Sequence, residues 1–304
     1  MALEEWRRKL GVMTARIISL LTACVLVVAP SASPAQQGTA ESFDSNGVQI
    51  HYVDKGRGVP VVLLHGFTGS YARHWEAPGV MEALETAGYR VIAMDCRGHG
   101  QSGKPLDSSQ YGLEMVRDVV RLLDRLHIER AHIVGYSMGG AIANQLLVRY
   151  PGRLMTVTLL GAGWEGEDLE VVTSQMLALA EGFANKDASW LIRGVTSSGQ
   201  NGPTDDEVAA LNASLFARND PQVLAAVARG LLPLYEISGD SLRATTLPVL
   251  AIIGEHDSGL EAVKRMAGVV RRLEVVEIPG ASHATSVRPS AKPLVAFLDK
   301  HRRN

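Results

Sequence analysis

The sequence predicts an α/β chain on a mostly parallel, doubly wound sheet, and three observations predict it. Short apolar runs, among them Val59–Leu64, Arg90–Met94, Met155–Leu160, Val249–Ile253 and Leu273–Ile278, alternate with stretches of helical spacing. Alternation over such lengths makes parallel crossovers. Val59–Leu64 is apolar throughout, as a strand covered on both faces must be. In mid-chain, Ala131–Tyr150 reads as strand, tight turn and helix around Gly135-Tyr136-Ser137-Met138-Gly139.

Residues 1–35 stand apart from that rhythm. Arg7, Arg8, Lys9 and Arg16 form a basic start, Ile17–Ala29 an apolar core, and Pro30–Ala35 a small-residue stretch ending before Gln36. The core is too short to cross a bilayer comfortably, so residues 1–35 are expected to be a secretory signal peptide. Met13 is an alternative start. Export, to the periplasm or the medium, is the expectation, with no stable membrane insertion after cleavage. Two rivals stay open. One is an uncleaved anchor. The other is a lipoprotein signal at Leu21-Thr22-Ala23-Cys24, although Val25–Val28 continue apolar where such signals turn polar.

The remainder, about 270 residues, suits one α/β core with an insertion. The whole chain carries −2; four basic and two acidic side chains leave with residues 1–35, moving the mature chain to −4. Mild acidity without basic clusters argues against nucleic acid or an anionic membrane surface as partner. Cys24 lies in the leader and Cys96 remains alone, so no internal disulfide is expected.

In chain order, Phe43–Asp54 broken at Asn46-Gly47 reads as a hairpin, since Asn-Gly between alternating flanks is a strong hairpin signal. Val59–Leu64 follows, ending at His65-Gly66-Phe67. A helix at Gly79–Ala87 leads to the Arg90–Met94 strand, which closes on Asp95–Ser102; a second helix spans Leu113–Leu126. After the Met155–Leu160 strand the rhythm fails. From Trp164 to Arg243 the pattern is helical, with a capping box at Thr204–Glu207 and a start at Asp220-Pro221. That stretch holds more bulky apolar residues than its helices need to pack one another, which predicts a lid over the sheet's C-terminal edge. The alternation returns with Val249–Ile253, a helix from Leu260 to Val270, Leu273–Ile278 and a last helix at Pro289–Arg302. The core is therefore expected at 36–163 and 244–304, and the helical cap at 164–243.

A Gly-x-Ser-x-Gly between strand and helix is a mechanism rather than a pattern. The turn forces Ser137 into a strained conformation, and a side chain at Gly135 or Gly139 would collide with neighbouring backbone. A serine hydroxyl needs an adjacent base. His283, after Gly280-Ala281-Ser282, is the candidate base; Asp257, after Gly254-Glu255-His256, would hold its tautomer and stabilise the imidazolium. Both lie just past strand ends, where α/β sheets carry their chemistry. The backbone N–H groups of Phe67 and Met138 are the candidate oxyanion donors. Glu255 and Asp95 compete with Asp257, but Glu255 is expected at the surface. His65 and His99 read as structural, and Cys96 has no basic partner placed for it. Trp75, Tyr136, Trp164, Phe183 and Trp190 are candidate pocket residues. No metal-ligand spacing and no nucleotide-binding glycine fingerprint occurs, so no metal or cofactor is expected.

His65-Gly66-Phe67, Asp95–Ser102, Gly135–Gly140, Gly254–Asp257 and Gly280–His283 together resemble the α/β-hydrolase superfamily, and within it the capped esterase, enol-lactonase and C–C hydrolase branch. The resemblance implies an eight-stranded sheet with a helical cap inserted after the sixth strand, and makes Asp95–Ser102 a structural turn after the fourth. Ser137 at the elbow argues against the aspartate chemistry of epoxide hydrolases and haloalkane dehalogenases. One departure is Ser258-Gly259-Leu260, where relatives often carry proline. The expected function is an exported serine hydrolase acting on a small-molecule carboxylic ester through an acyl-enzyme on Ser137. The apolar lid implies a hydrophobic acyl or aryl part. Lactonase or C–C hydrolase activity is the alternative, and a non-catalytic ligand- or partner-binding homologue a second one.

Overall fold

The computed structural model describes residues 39–197 and 202–302. The expected leader at 1–35 lies outside the described residues. Strands β1 (Thr39–Ser45), β2 (Val48–Gly56), β3 (Val59–Leu64), β4 (Tyr89–Met94), β5 (Ala131–Tyr136), β6 (Leu154–Leu160), β7 (Val249–Gly254) and β8 (Leu273–Ile278) form one sheet in the order β1-β2-β4-β3-β5-β6-β7-β8. β2 pairs antiparallel with β1 and β4, and every other neighbour pairs parallel. The β1–β2 hairpin turns at Asn46 and Gly47, at φ 57° and 81°. Two-residue hairpin turns require such positive φ angles, and this pair adopts them with little strain.

Helices α1 (Val80–Thr86), α2 (Leu113–Arg125) and α3 (Met138–Arg149) alternate with the strands. Between β6 and β7 the described residues form the helices α4 (Glu170–Ala184), α5 (Ser189–Thr196), α6 (Asp205–Phe216), α7 (Pro221–Gly230) and α8 (Gly239–Arg243). Then come α9 (Leu260–Ala267) and α10 (Ala291–Lys300). The α6 start carries the predicted capping box: Thr204 accepts from Glu207 N–H, and Glu207 from Thr204 N–H. The helix expected to reach Val270 stops at Ala267, before Gly268, and the last helix opens with a 3₁₀ turn at Arg288–Ser290. None of the described helices is long and apolar enough to cross a membrane.

Strand periodicity explains the two core layers. Val62 and Leu64 of β3 face the cluster containing Val116, Val119, Ile142 and Leu146 of α2 and α3. Val61 and Leu63 face the cluster containing Met81, Leu84, Leu294 and Phe297 of α1 and α10. A third cluster, with Leu179, Phe183, Ile192, Val208, Leu215 and Leu224, gives the α4–α7 segment its own core. Near the hairpin, Arg97 and Asp118 form a fully buried ion pair at 2.6 Å. Arg97 also donates to the Ser45 and Gln110 carbonyls, and Asp118 accepts from Ser45 Oγ, so the pair's remaining hydrogen-bonding capacity is met.

Candidate active site

Three strand ends converge on one pocket. Ser137 follows β5 at the start of α3, with φ 53° and ψ −114° and its N–H bonded to the Leu160 carbonyl at 2.9 Å. This is a strained conformation for a residue with a side chain, and the two flanking glycines let the chain hold it. A Cβ on Gly135 would stand 2.1 Å from the Gly139 carbonyl oxygen, and one on Gly139 2.1 Å from the Leu64 carbonyl oxygen. Neither backbone could yield.

Asp257 follows β7 and His283 follows β8. Asp257 Oδ2 lies 2.8 Å from His283 Nδ1, with the aspartate side chain wholly buried and the histidine largely so. The other carboxylate oxygen accepts from the Gly259 N–H at 2.9 Å. The loop that lacks the usual proline thus uses its glycine amide to orient the acid. Glu255, the competing acid, is exposed and accepts from the Gly280 N–H at 2.7 Å, bracing the turn before His283. The His283 carbonyl accepts from Tyr136 Oη (3.1 Å) and Ser286 Oγ (2.9 Å), and the His283 ring lies over that of Tyr136, centroids 5.0 Å apart. With Nδ1 engaged by Asp257, Nε2 is the nitrogen left for proton transfer.

The turn after β3 is held by two histidines. His65 Nε2 accepts from the Cys96 N–H, so its Nδ1 carries the proton it donates to the Gly66 carbonyl. His74 Nδ1 accepts from the Gly66 N–H. Both rings are thereby held neutral, and burial pushes both below the usual histidine range, His74 down to about 3. Phe67 N–H is the next amide along this turn. Met138 N–H is the first of α3, where helix geometry supplies no internal acceptor. Burial pushes the Cys96 thiol well up, away from thiolate chemistry.

The pocket encloses about 200 Å³ and is lined by Ser137, Asp257 and His283 together with Met176, Leu179, Trp190 and Leu191 from the helical segment. Trp164 also lines it, its indole N–H donated to the Ile237 carbonyl at 2.9 Å. Trp190 stands at its rim, 57% exposed. Three candidates lie elsewhere. Trp75 is fully buried in a short π-helical turn, Ala72–Glu76, packed in the α1–α10 layer. Phe183 is fully buried in the α4–α7 core. Tyr136 sits beneath His283 as its support rather than in the pocket wall. Sequence reasoning missed Asn144, Glu165 and Tyr235, which do line the pocket. Asn144 could have been found, because it follows Ser137 by two helical turns on the same face of α3.

The alpha/beta hydrolase fold family matches residues 59–286. A 2-hydroxy-6-oxo-6-phenylhexa-2,4-dienoate hydrolase of Comamonas testosteroni is 40% identical over 126 residues, 40% of this chain. The chain spans only 43% of that relative's length. A Bacillus subtilis (strain 168) protein provisionally named 2-succinyl-6-hydroxy-2,4-cyclohexadiene-1-carboxylate synthase is 30% identical over 265 residues, covering 82% of this chain and 93% of that one. Among solved structures, a carboxylesterase of Nitrososphaera gargenis superposes with a TM-score of 0.70 at 22% identity, over 86% of this chain and 98% of that one, a likeness of fold. The chain belongs to the α/β-hydrolase fold family.

Proposed function

We propose that the chain is an exported serine hydrolase of carboxylic esters. Ser137 is its nucleophile, His283 the general base and then acid, and Asp257 the group that orients and stabilises His283. The observation that carries this reading is the 2.8 Å Asp257–His283 pair in the pocket that Ser137 also lines. His283 takes the Ser137 proton as Oγ attacks the ester carbonyl, and returns it to the leaving alcohol. The Phe67 and Met138 amides receive the oxyanion. Water activated by His283 then cleaves the acyl-enzyme. The pocket lies below the roughly 300–1,000 Å³ usual for drug-sized ligands, and its Met176, Leu179 and Leu191 side chains favour a compact ester with an apolar part. Export rests on the leader-like pattern of residues 1–35; N-terminal sequencing of protein from the medium or periplasm should begin at Gln36.

The dienoate hydrolase likeness favours a second reading, cleavage of a C–C bond by the same three residues. One experiment tests both. A fluorophosphonate probe should label Ser137, and Ser137→Ala should abolish labelling and p-nitrophenyl ester turnover. Ester turnover surviving in that variant overturns the mechanism. Cleavage of a dienoate by wild type with no ester turnover selects the second reading.

A further inference from the structure

The turn after β3 packs directly against the nucleophile. A Cβ on Gly66 would stand 3.2 Å from Ser137 Cβ and 2.9 Å from the Tyr136 ring. Both peptide groups of Gly66 are engaged. Its carbonyl accepts from His65 Nδ1 at 2.8 Å and from the Gly69 N–H at 3.2 Å. Its own N–H donates to His74 Nδ1 at 3.1 Å. A trans peptide points its C=O and N–H in opposite directions, so holding the Gly66 carbonyl also aims the Phe67 N–H. With the Gly66 N–H spent on His74, the next amide, that of Phe67, is left free among the described residues to meet an oxyanion.

His74 reaches Gly66 from an uncommon backbone turn. Ala72–Glu76 is a single π-helical turn, closed by the Ala77 N–H on the Ala72 carbonyl at 2.8 Å. Such turns are rare and recur at functional sites. This one brings two consecutive rings to Tyr136, His74 with centroids 5.0 Å apart and the fully buried Trp75 at 6.4 Å. The His74 ring also closes on Gly69. A Cβ there would stand 2.1 Å from His74 Cε1 and 2.4 Å from Nδ1, so Gly69 leaves the room that the imidazole needs to face Gly66. Burial pushes His74 down to about 3, which keeps the Nδ1 lone pair available at any ordinary working pH.

We propose that His74 is a positioning residue for the reaction: by accepting the Gly66 N–H it fixes the turn whose Phe67 amide stabilises the oxyanion. The proposal rests on the reading of Ser137 as nucleophile and Phe67 N–H as oxyanion donor. His74 touches no reacting atom in this role. It acts through Gly66, and Gly69 acts through His74 by leaving it space.

Three variants separate the acceptor from the bulk. His74→Phe keeps a ring and removes the acceptor. His74→Asn keeps an acceptor, since Asn Oδ1 is two bonds from Cβ, as Nδ1 is. Gly69→Ala leaves His74 unchanged and pushes its ring away. The bond is worth about three- to tenfold, so kcat for p-nitrophenyl acetate should fall by that factor in His74→Phe and Gly69→Ala. KM should move little, and His74→Asn should stay near wild type. The same variants are assayed on p-nitrophenyl thionoacetate, whose sulfur accepts hydrogen bonds weakly. The ester-to-thionoester rate ratio should fall with kcat. Residue-level hydrogen exchange supplies a readout without chemistry: the Gly66 amide should exchange about three- to tenfold faster in His74→Phe and Gly69→Ala, and not in His74→Asn. Ester and thionoester rates falling together, His74→Asn as slow as His74→Phe, or unchanged Gly66 exchange would each overturn the proposal. The expected exchange pattern in a protein that hydrolyses neither substrate supports the His74 clamp and rejects the ester reading instead.

Discussion

The ring of Phe67, in the turn after β3, meets the ring of Phe183 in α4 edge to face, 5.3 Å between centroids and 82° between planes. On its other side Phe67 meets His99 at 5.5 Å, and His99 meets His65 at 5.2 Å. A line of rings therefore runs from the helical segment into the buried loops that shape the turn. Asn219 Nδ2 donates to the Thr68 carbonyl at 3.4 Å, a second tie between that segment and the turn.

Under the proposed mechanism the Phe67 amide receives the oxyanion, so Phe183 fixes a catalytic donor through a side-chain contact. Phe183→Leu keeps an apolar filler but removes the ring edge. Loss of an oxyanion donor costs about 100- to 1000-fold in rate, so loosening one should lower kcat by about tenfold. KM for a short ester should move little. Stopped-flow acylation of p-nitrophenyl acetate separates the two. A variant that loses stability but keeps kcat would show that Phe183 only fills space.

Tyr136 holds His283 in two ways, through its hydroxyl and its ring. Tyr136→Phe keeps the ring and removes the donor to the His283 carbonyl, which Ser286 still serves. One such bond is worth about 1 kcal/mol, so kcat/KM should fall by about three- to fivefold with Tm nearly unchanged. Tyr136→Leu also removes the ring and should fall further, with a displaced pH profile of kcat/KM. Equal profiles for the two variants would count against positioning by the ring.

Local signals in the chain were legible where one residue type answers one backbone demand. Asn46-Gly47 named its hairpin, and Gly135 and Gly139 named a turn that no side chain could enter. Bulk was a poorer guide. Trp75 and Phe183 are large and apolar, but size does not say which layer a ring packs into, and both went to cores rather than to the pocket. Polar partners across long separations were invisible. Asn144 is explained by a carbonyl on the Gly163 loop, Glu165 by Arg265, and Arg97 by Asp118 and Ser45, each brought near only by the finished sheet.

That last cluster predicts a stability effect without an activity effect. Removing one member of a buried pair leaves the other charge uncompensated, at about 3–5 kcal/mol. Asp118→Ala should lower the urea midpoint accordingly, while turnover per folded molecule stays at the wild-type value, since Asp118 does not line the pocket. Replacing both partners, Arg97→Met with Asp118→Leu, should cost less than either single change. A double variant as unstable as the sum of the singles would mean the pair acts through its hydrogen bonds to Ser45 and Gln110 rather than its charge.

Buried neutral histidines make the fold acid-sensitive. Burial is the main cause that pushes His99 down to about 3 and His132 to about 4, and both rings are fully buried. In the unfolded chain they titrate near the ordinary value of about 6.5. Between those values the unfolded state binds the extra protons, so stability falls as pH falls. The contribution is fully present above about pH 6.5 and is withdrawn progressively toward pH 3–4, at about 2 kcal/mol per histidine by pH 5. Chemical denaturation at pH 7 and pH 5 should show that loss, against a total stability of about 5–15 kcal/mol for a typical domain. His99→Leu removes one titrating group and should flatten the slope between those pH values. An unchanged slope in the variant would place the acid sensitivity elsewhere.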